Sequence, residues 1–177
     1  HVTQAQLNLL DSHDTARFLS LAGGDESALR MAMLFMMCYP GAPCIYYGDE
    51  IGVEGGKDPD CRRAFPWEKR RWNAKLLDYV RRCIALRKAH PALRRGEYKR
   101  LFAQEDVYAL GRRLADEVLL GVFNTGTKPW DLNVPVQGYL ENGVTLQGVW
   151  GEGAVRVQEG RIAGMAVPAR TGIIWKT

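Results

Sequence analysis

The sequence has no apolar run long enough to cross a membrane. Its longest, Met31 to Met37, falls far short of the roughly 20 residues a spanning helix needs. No segment has the order of basic, apolar and small residues that marks a secretory signal, so no membrane partner is expected. Cysteine pairing signatures are missing too. Cys38, Cys44, Cys61 and Cys83 include no C-x-x-C pair, and none stands beside histidine at zinc spacing. The expectation is therefore reduced thiols, a cytoplasmic setting and no metal site, with Cys38 and Cys44 serving as small buried hydrophobes. Internal repeats and low-complexity segments are absent. So is a nucleic-acid signature: the net charge is +4, but its basic clusters, Lys69–Arg71 and Arg81, Arg82 to Lys88, have no interleaved aromatics. The second cluster falls on the polar side of an amphipathic helix, so a solvated helix face accounts for it and no nucleic-acid partner is expected.

What remains is a folded chain of 177 residues, 46% hydrophobic and 25% charged, enough for one ordinary domain or a small domain plus part of a larger one. The first residue, His1, is not Met, which reads as a start other than the native one, whether by processing, truncation or proteolysis. The pattern changes near Pro91. Before it, apolar runs alternate with helical periodicity: a strand at Gln6–Leu10, a helix over Ser27–Cys38 behind an Asp25 cap, a buried strand at Pro43–Tyr47, a long polar loop over Ile51–Trp67 and a helix over Trp72–Ala89. The first helix is apolar on nearly every side and must be buried. The second repeats Trp72, Leu76, Val80 and Ile84 at helical spacing and is stopped by Pro91. Strand, helix, strand, helix in this order means parallel strands with helical crossovers. After Gly96 come short strands separated by turn residues. Val107–Arg113 and Val118–Phe123 flank a turn at Ala115–Glu117, and further strands are expected at Trp130–Val134, Thr145–Trp150, Val155–Gln158, Arg161–Val167 and Gly172–Lys176. That is the pattern of a small antiparallel β-sandwich.

In a parallel α/β barrel, chemistry collects in the loops after the strands. The first such loop reads Asn8-Leu-Leu-Asp-Ser-His-Asp-Thr-Ala-Arg-Phe18, and the second begins Gly41-Ala-Pro-Cys-Ile-Tyr-Tyr-Gly-Asp-Glu-Ile-Gly52. They are followed by Gly55-Gly-Lys-Asp-Pro-Asp-Cys-Arg-Arg63 and Phe65-Pro-Trp67. These stretches, in register and followed by His90-Pro91-Ala-Leu93 and the sandwich, resemble the α-amylase family, nearest its cyclomaltodextrinase, neopullulanase and maltogenic amylase branch.

The resemblance implies the last two βα units of a (β/α)8 barrel over residues 1–92 and a C-terminal antiparallel β-sandwich over 93–177. It implies a retaining glycosidase acting on α-glucosidic bonds of maltooligosaccharides, cyclodextrins, pullulan or starch, with no cofactor. Asp14, from the His-Asp pair, would be the transition-state stabiliser. His13, Asp58 and Arg62 would contact sugar, and Glu50 would order its own loop. The nucleophile and general acid would lie upstream of His1, so this stretch alone is expected to be inactive. Its two strands would then require the missing part of the barrel, or a second copy, as partner.

Each residue also has a plainer role open to it. Asp14 can cap a turn, His13 can sit in a core, and Asp58 with Arg62 can be an ordinary loop ion pair. Trp67 can stack on a sugar or anchor packing. Tyr46 and Tyr47 read as barrel core, and Asp116, in the hairpin, as a turn residue. An α-glucosidase, a trehalose-forming transferase and a non-catalytic carbohydrate-binding or structural module are the alternative functions.

Overall fold

The computed structural model describes residues 2–177, so His1, on which the reading of the chain's start rests, lies outside the described residues. The chain divides into two compact units, His1–Ala85 and Leu86–Thr177. Among the described residues no helix is long and apolar enough to cross a membrane.

The first unit comprises α1 (Val2–Ala5), β1 (Leu7–Asn8), α2 (Phe18–Leu21), α3 (Glu26–Cys38), β2 (Ala42–Pro43), three single 3₁₀ turns and the start of α4 (Ala74–Ala89). β1 and β2 pair in parallel, Leu7 opposite Ala42 and Asn8 opposite Pro43, with α3 between them in sequence. The helix starts where Asp25 accepts hydrogen bonds from the N–H groups of Ser27 and Ala28, filling two of the four donors a helix start leaves open. Its interior, Leu29, Met33, Leu34, Met36 and Cys38 among others, is buried, as the lack of a polar face requires. Glu26 ties this helix to the next: its carboxylate accepts from Asn73 Nδ2 at 2.6 Å, and Asn73 Oδ1 accepts from the Leu76 N–H. Along α4, Leu76, Val80 and Cys83 are buried at the expected spacing. Burial pushes the Cys83 thiol up to about 12, so it is an inert packing group.

Three expectations need correction. The strand expected over Pro43–Tyr47 stops at Pro43. The reason is local: the Tyr47 carbonyl accepts from Arg17 Nη1 and the Tyr46 carbonyl from the Asp49 N–H, so these acceptors serve a turn and a side chain instead of a ladder. Likewise β1 spans only Leu7–Asn8 of the expected Gln6–Leu10. The second helix starts at Ala74, two residues late, because Lys69–Arg71 forms a 3₁₀ turn and the Trp72 indole N–H donates to the Pro66 carbonyl at 2.5 Å.

The second unit opens with α5 (Pro91–Arg95), which Pro91 begins at the first helical position, where its missing N–H costs nothing. Then come β3 (Glu97–Gln104), β4 (Val107–Leu114), β5 (Glu117–Asn124), β6 (Trp130–Pro135), β7 (Thr145–Trp150), β8 (Ala154–Arg156), β9 (Arg161–Val167) and β10 (Thr171–Lys176). One sheet has the order β3-β4-β5-β10-β7-β8, and β6 pairs with β9 in the second. Val107, Leu120, Val122, Ile173 and Trp175 of the large sheet and Leu132, Val134, Ile162 and Val167 of the small one share a single buried core. This is an antiparallel β-sandwich. β3 and α5 were not foreseen: β3 mixes Glu97, Lys99 and Arg100 with Leu101 and Phe102 at the edge of its sheet, so it has little alternation to read. The expected hairpin between β4 and β5 is present, with Asp116 in its turn and Ala115 left-handed at φ 51°.

Glu117 locks α5 to this sheet. Its carboxylate accepts from the Ala92 N–H at 2.8 Å, meets His90 Nδ1 at 2.8 Å and lies 3.3 Å from Lys176 Nζ. Burial alone would raise its pKa, but the Ala92 N–H and the His90 and Lys176 side chains outweigh it and hold Glu117 below the ordinary range.

Candidate active site

Two loops leave the ends of the paired strands. The first follows β1. Ser12 and Thr15 close a short turn, with the Ser12 N–H donating to Thr15 Oγ1 at 2.9 Å and the Asp14 N–H to Ser12 Oγ at 3.2 Å. At its tip, His13 and Asp14 are exposed by 62% and 70%, and His13 Nε2 lies 3.1 Å from Asp14 Oδ2.

The second loop follows β2. Gly48 turns it at φ +93°, in the left-handed region, where an added Cβ would also lie 2.7 Å from a Val53 methyl. Glu50 folds back on this turn and accepts the Gly48 N–H at 2.8 Å. Asp60 organises the tip. It accepts from the Gly56 N–H at 2.6 Å and from Arg63 Nε and Nη2 at 2.7 and 2.9 Å, and the bidentate guanidinium holds its carboxyl below the ordinary range. The Asp60–Arg62 turn, after a cis Asp58–Pro59 bond, then presents Arg62.

The four residues expected to face the sugar come together through Arg62. Its Nε is 2.7 Å from Asp58 Oδ1 and donates to the His13 carbonyl at 3.1 Å; its Nη2 lies 3.7 Å from Asp14 Oδ1. Cys61 Sγ also reaches the His13 carbonyl, at 3.2 Å. The result is a solvent-facing cluster of two carboxylates, one guanidinium and one imidazole, which offers acceptors and donors to a polyhydroxyl ligand. Among the described residues no group of three or more His, Cys, Asp or Glu side chains is placed to hold a metal ion.

The aromatic residues divide. Trp67 is exposed, edge-on to Phe65 at 5.0 Å, and Phe65 meets Trp72 at 5.7 Å. Tyr46 and Tyr47 do not form core. Tyr46 is half-buried and Tyr47 partly exposed, and their rings lie against the guanidinium of Arg17, 4.1 and 4.7 Å from its Cζ.

Arg17 was not foreseen as part of the site. It is fully buried between Asp11 and Asp49, themselves 2% and 4% exposed. Its Nη1 lies 3.1 Å from Asp49 Oδ1 and 3.8 Å from Asp11 Oδ1. Burial first, then the neighbouring Asp11 charge, pushes Asp49 up to about 8. An acid–x5–base spacing in a polar loop gives no sign of burial, so nothing in the sequence singled this group out.

A family model described as the alpha amylase catalytic domain matches residues 1–96, and one described as the neopullulanase-like C-terminal domain matches residues 98–176. The chain is 40% identical over 137 residues to a cyclomaltodextrinase of Geobacillus thermopakistaniensis, covering 76% of this chain and 23% of that protein. It is 41% identical over 126 residues to an intracellular maltogenic amylase of Bacillus subtilis, covering 70% and 21% respectively. Among solved structures, the native form of the Nostoc punctiforme debranching enzyme matches with a TM-score of 0.82 at 40% identity, over 98% of this chain and 36% of that one. The chain thus spans about a quarter or less of the length of these curated relatives.

Proposed function

This chain belongs to the α-amylase family, and from that premise we propose that it forms part of a retaining glycoside hydrolase acting on α-glucosidic bonds of maltooligosaccharides, cyclodextrins or pullulan. The observation that carries the proposal is the Arg62 bridge, which gathers His13, Asp14 and Asp58 from two separate loops into one exposed cluster.

Retaining hydrolysis passes through an oxocarbenium-like transition state in which hydrogen bonds to the sugar hydroxyls strengthen. Asp14 is the stabilising carboxylate. Placed between Arg62 and His13, it accepts hydrogen bonds from the sugar hydroxyls and offsets the developing positive charge. His13 donates to the same sugar, and Asp58 with Arg62 lines the neighbouring subsite. Glu50 keeps the Gly48 turn in shape. The nucleophile and general acid come from sequence before His1, and the remainder of the barrel covers the exposed Leu7 and Leu9 beside β1. We place the barrel portion at residues 1–92 and the sandwich at 93–177. A cytoplasmic setting fits four cysteines without a disulfide and the intracellular maltogenic amylase relative.

The test is substrate profiling of the protein that includes the upstream sequence, on maltotriose, β-cyclodextrin and pullulan, beside the 177-residue chain. The proposal expects hydrolysis with retention by the longer protein and no turnover by the shorter one. Trehalose formation, or inactivity on both cyclodextrin and pullulan, would overturn the assignment to this branch.

A further inference from the structure

We propose that Arg17 is a positioning residue of the sugar site: its buried guanidinium fixes the His13–Asp14 loop against the Asp58–Arg62 loop. The inference rests on the glycosidase reading above and assigns a role to a side chain that no substrate can touch, because Arg17 is fully buried.

The geometry is that of a three-way tie. Arg17 lies three residues after Asp14, at the end of the loop that presents it. Its Nε donates to the Cys61 carbonyl at 2.8 Å, immediately before Arg62, and its Nη1 donates to the Tyr47 carbonyl at 2.8 Å and to Asp49 Oδ1 at 3.1 Å. Its backbone N–H donates to the Gly55 carbonyl at 2.9 Å. One residue thus holds the turn after β2, the glycine segment and the Asp60–Arg62 turn at once. Asp11 secures the other side, its Oδ2 accepting the Phe18 N–H at 2.6 Å where α2 begins.

A guanidinium is suited to this task because its donors are fixed in one plane, so the direction of each bond is set by the others. Apolar side chains of equal volume would fill the space at lower desolvation cost. They would supply no directional bond to any of the three segments. The surroundings also carry a specific charge arrangement. Asp11 Oδ1, Asp49 Oδ2 and Arg17 Nη2 are buried without a hydrogen-bond partner among the described residues. Two carboxylates beside one guanidinium leave a net negative charge in a buried place, which is costly. A proton kept by Asp49, which burial and the neighbouring Asp11 charge push up to about 8, removes that charge and leaves the guanidinium balanced. The site therefore has a neutral, rigid hub beneath an exposed, charged cluster, and the hub sets the distance from Arg62 to Asp14.

The experiment uses the protein with its upstream barrel and two variants. Arg17→Lys keeps a charge but loses the planar fork. The double variant Arg17→Met/Asp11→Asn removes one charge of each sign and leaves Asp49, whose carboxyl burial holds protonated to about 8. Three readouts are compared with wild type: melting temperature, kcat and KM on maltotriose, and hydrogen exchange of the amides of residues 12–15, 58 and 60–63. A misplacement of about 1 Å can cost on the order of 100-fold in rate. We expect the folded double variant to lose about 10- to 100-fold in kcat with a smaller change in KM, and exchange to quicken in both loops together. Arg17→Lys should recover the loss only in part. A folded double variant with wild-type kcat and wild-type exchange overturns the proposal. If the double variant does not fold, Arg17→Lys carries the test by the same readouts, and wild-type values there overturn it. Should the wild-type protein not hydrolyse α-glucans, the glycosidase reading fails, while the exchange comparison still decides whether Arg17 couples the loops.

Discussion

Replacing Arg62 by methionine in the protein with its upstream barrel should separate the geometry of the site from the stability of the fold. The perturbation removes three contacts at once: the pair with Asp58 at 2.7 Å, the approach to Asp14 at 3.7 Å and the hydrogen bond to the His13 carbonyl at 3.1 Å. Arg62 and Asp58 are each about half exposed, at 48% and 52%, and Asp14 more so. Exposed pairs of this kind contribute about 0–1 kcal/mol to stability. Methionine retains the apolar stem, so the melting temperature should fall by no more than about 2–4 °C. The effect on the reaction is larger. Without Arg62, Asp58 no longer has its guanidinium, and the carbonyl of His13 keeps only the contact from Cys61 Sγ. Loss of one charge-assisted hydrogen bond is worth about 1.5–3 kcal/mol, which is roughly 10- to 100-fold in kcat/KM. The assay is kcat/KM on maltotriose beside the melting temperature of the same preparation. A variant with kcat/KM within about two-fold of wild type would refute the bridge as a functional element. A collapse in melting temperature would refute the claim that Arg62 acts on the site and not on the fold.

Two further predictions concern stability. Glu117→Ala leaves the Ala92 N–H and His90 without their carboxylate and should cost about 2–3 kcal/mol in chemical denaturation followed through Trp175. Because Glu117 is held below its ordinary 4.5, its contribution is present above that value and is lost as pH falls through the folded pKa, so the cost of the substitution should shrink in acid. Asp49 has the opposite sign. The folded protein keeps its proton up to about 8 against 3.8 for a free side chain, so stability is fully present below 3.8 and falls as pH rises toward 8, by at most about 1.4 kcal/mol per pH unit. Asp49→Asn should flatten that slope, and an unchanged difference between melting temperatures at pH 5 and pH 8 would contradict the buried proton.

Much of this architecture was legible because its signals were local. Asp25 before an apolar run, the spacing of Leu76, Val80 and Cys83, and the Ala115–Asp116 turn each follow from the backbone needs of one element. The cluster of His13, Asp14, Asp58 and Arg62 was legible only as a match of motifs; the bridge that joins them spans 48 residues between Asp14 and Arg62, and no periodicity reports it. What escaped the reading was non-local or compensated. Tyr46 and Tyr47 looked like core because aromatic runs usually are, but they pack on a guanidinium that their own sequence neighbourhood does not contain. Arg17, with a charged side chain in a polar loop, gave every sign of exposure; two carboxylates, 6 residues before it and 32 after it, reverse that. β3 was hidden by the charges an edge strand carries to discourage unwanted pairing.

The most direct test of the account is kcat of Asp14→Asn in the protein with its upstream barrel, measured on maltotriose beside the binding constant of the same sugar. Asparagine keeps the shape of the side chain and its place next to His13 and Arg62 but removes the charge. Loss of the charge should lower kcat about 10²- to 10³-fold, as for loss of one electrostatic contact to a transition state, with binding changed far less. A kcat within a few-fold of wild type would contradict Asp14 as the stabilising carboxylate, and with it the reading of this cluster as the sugar site.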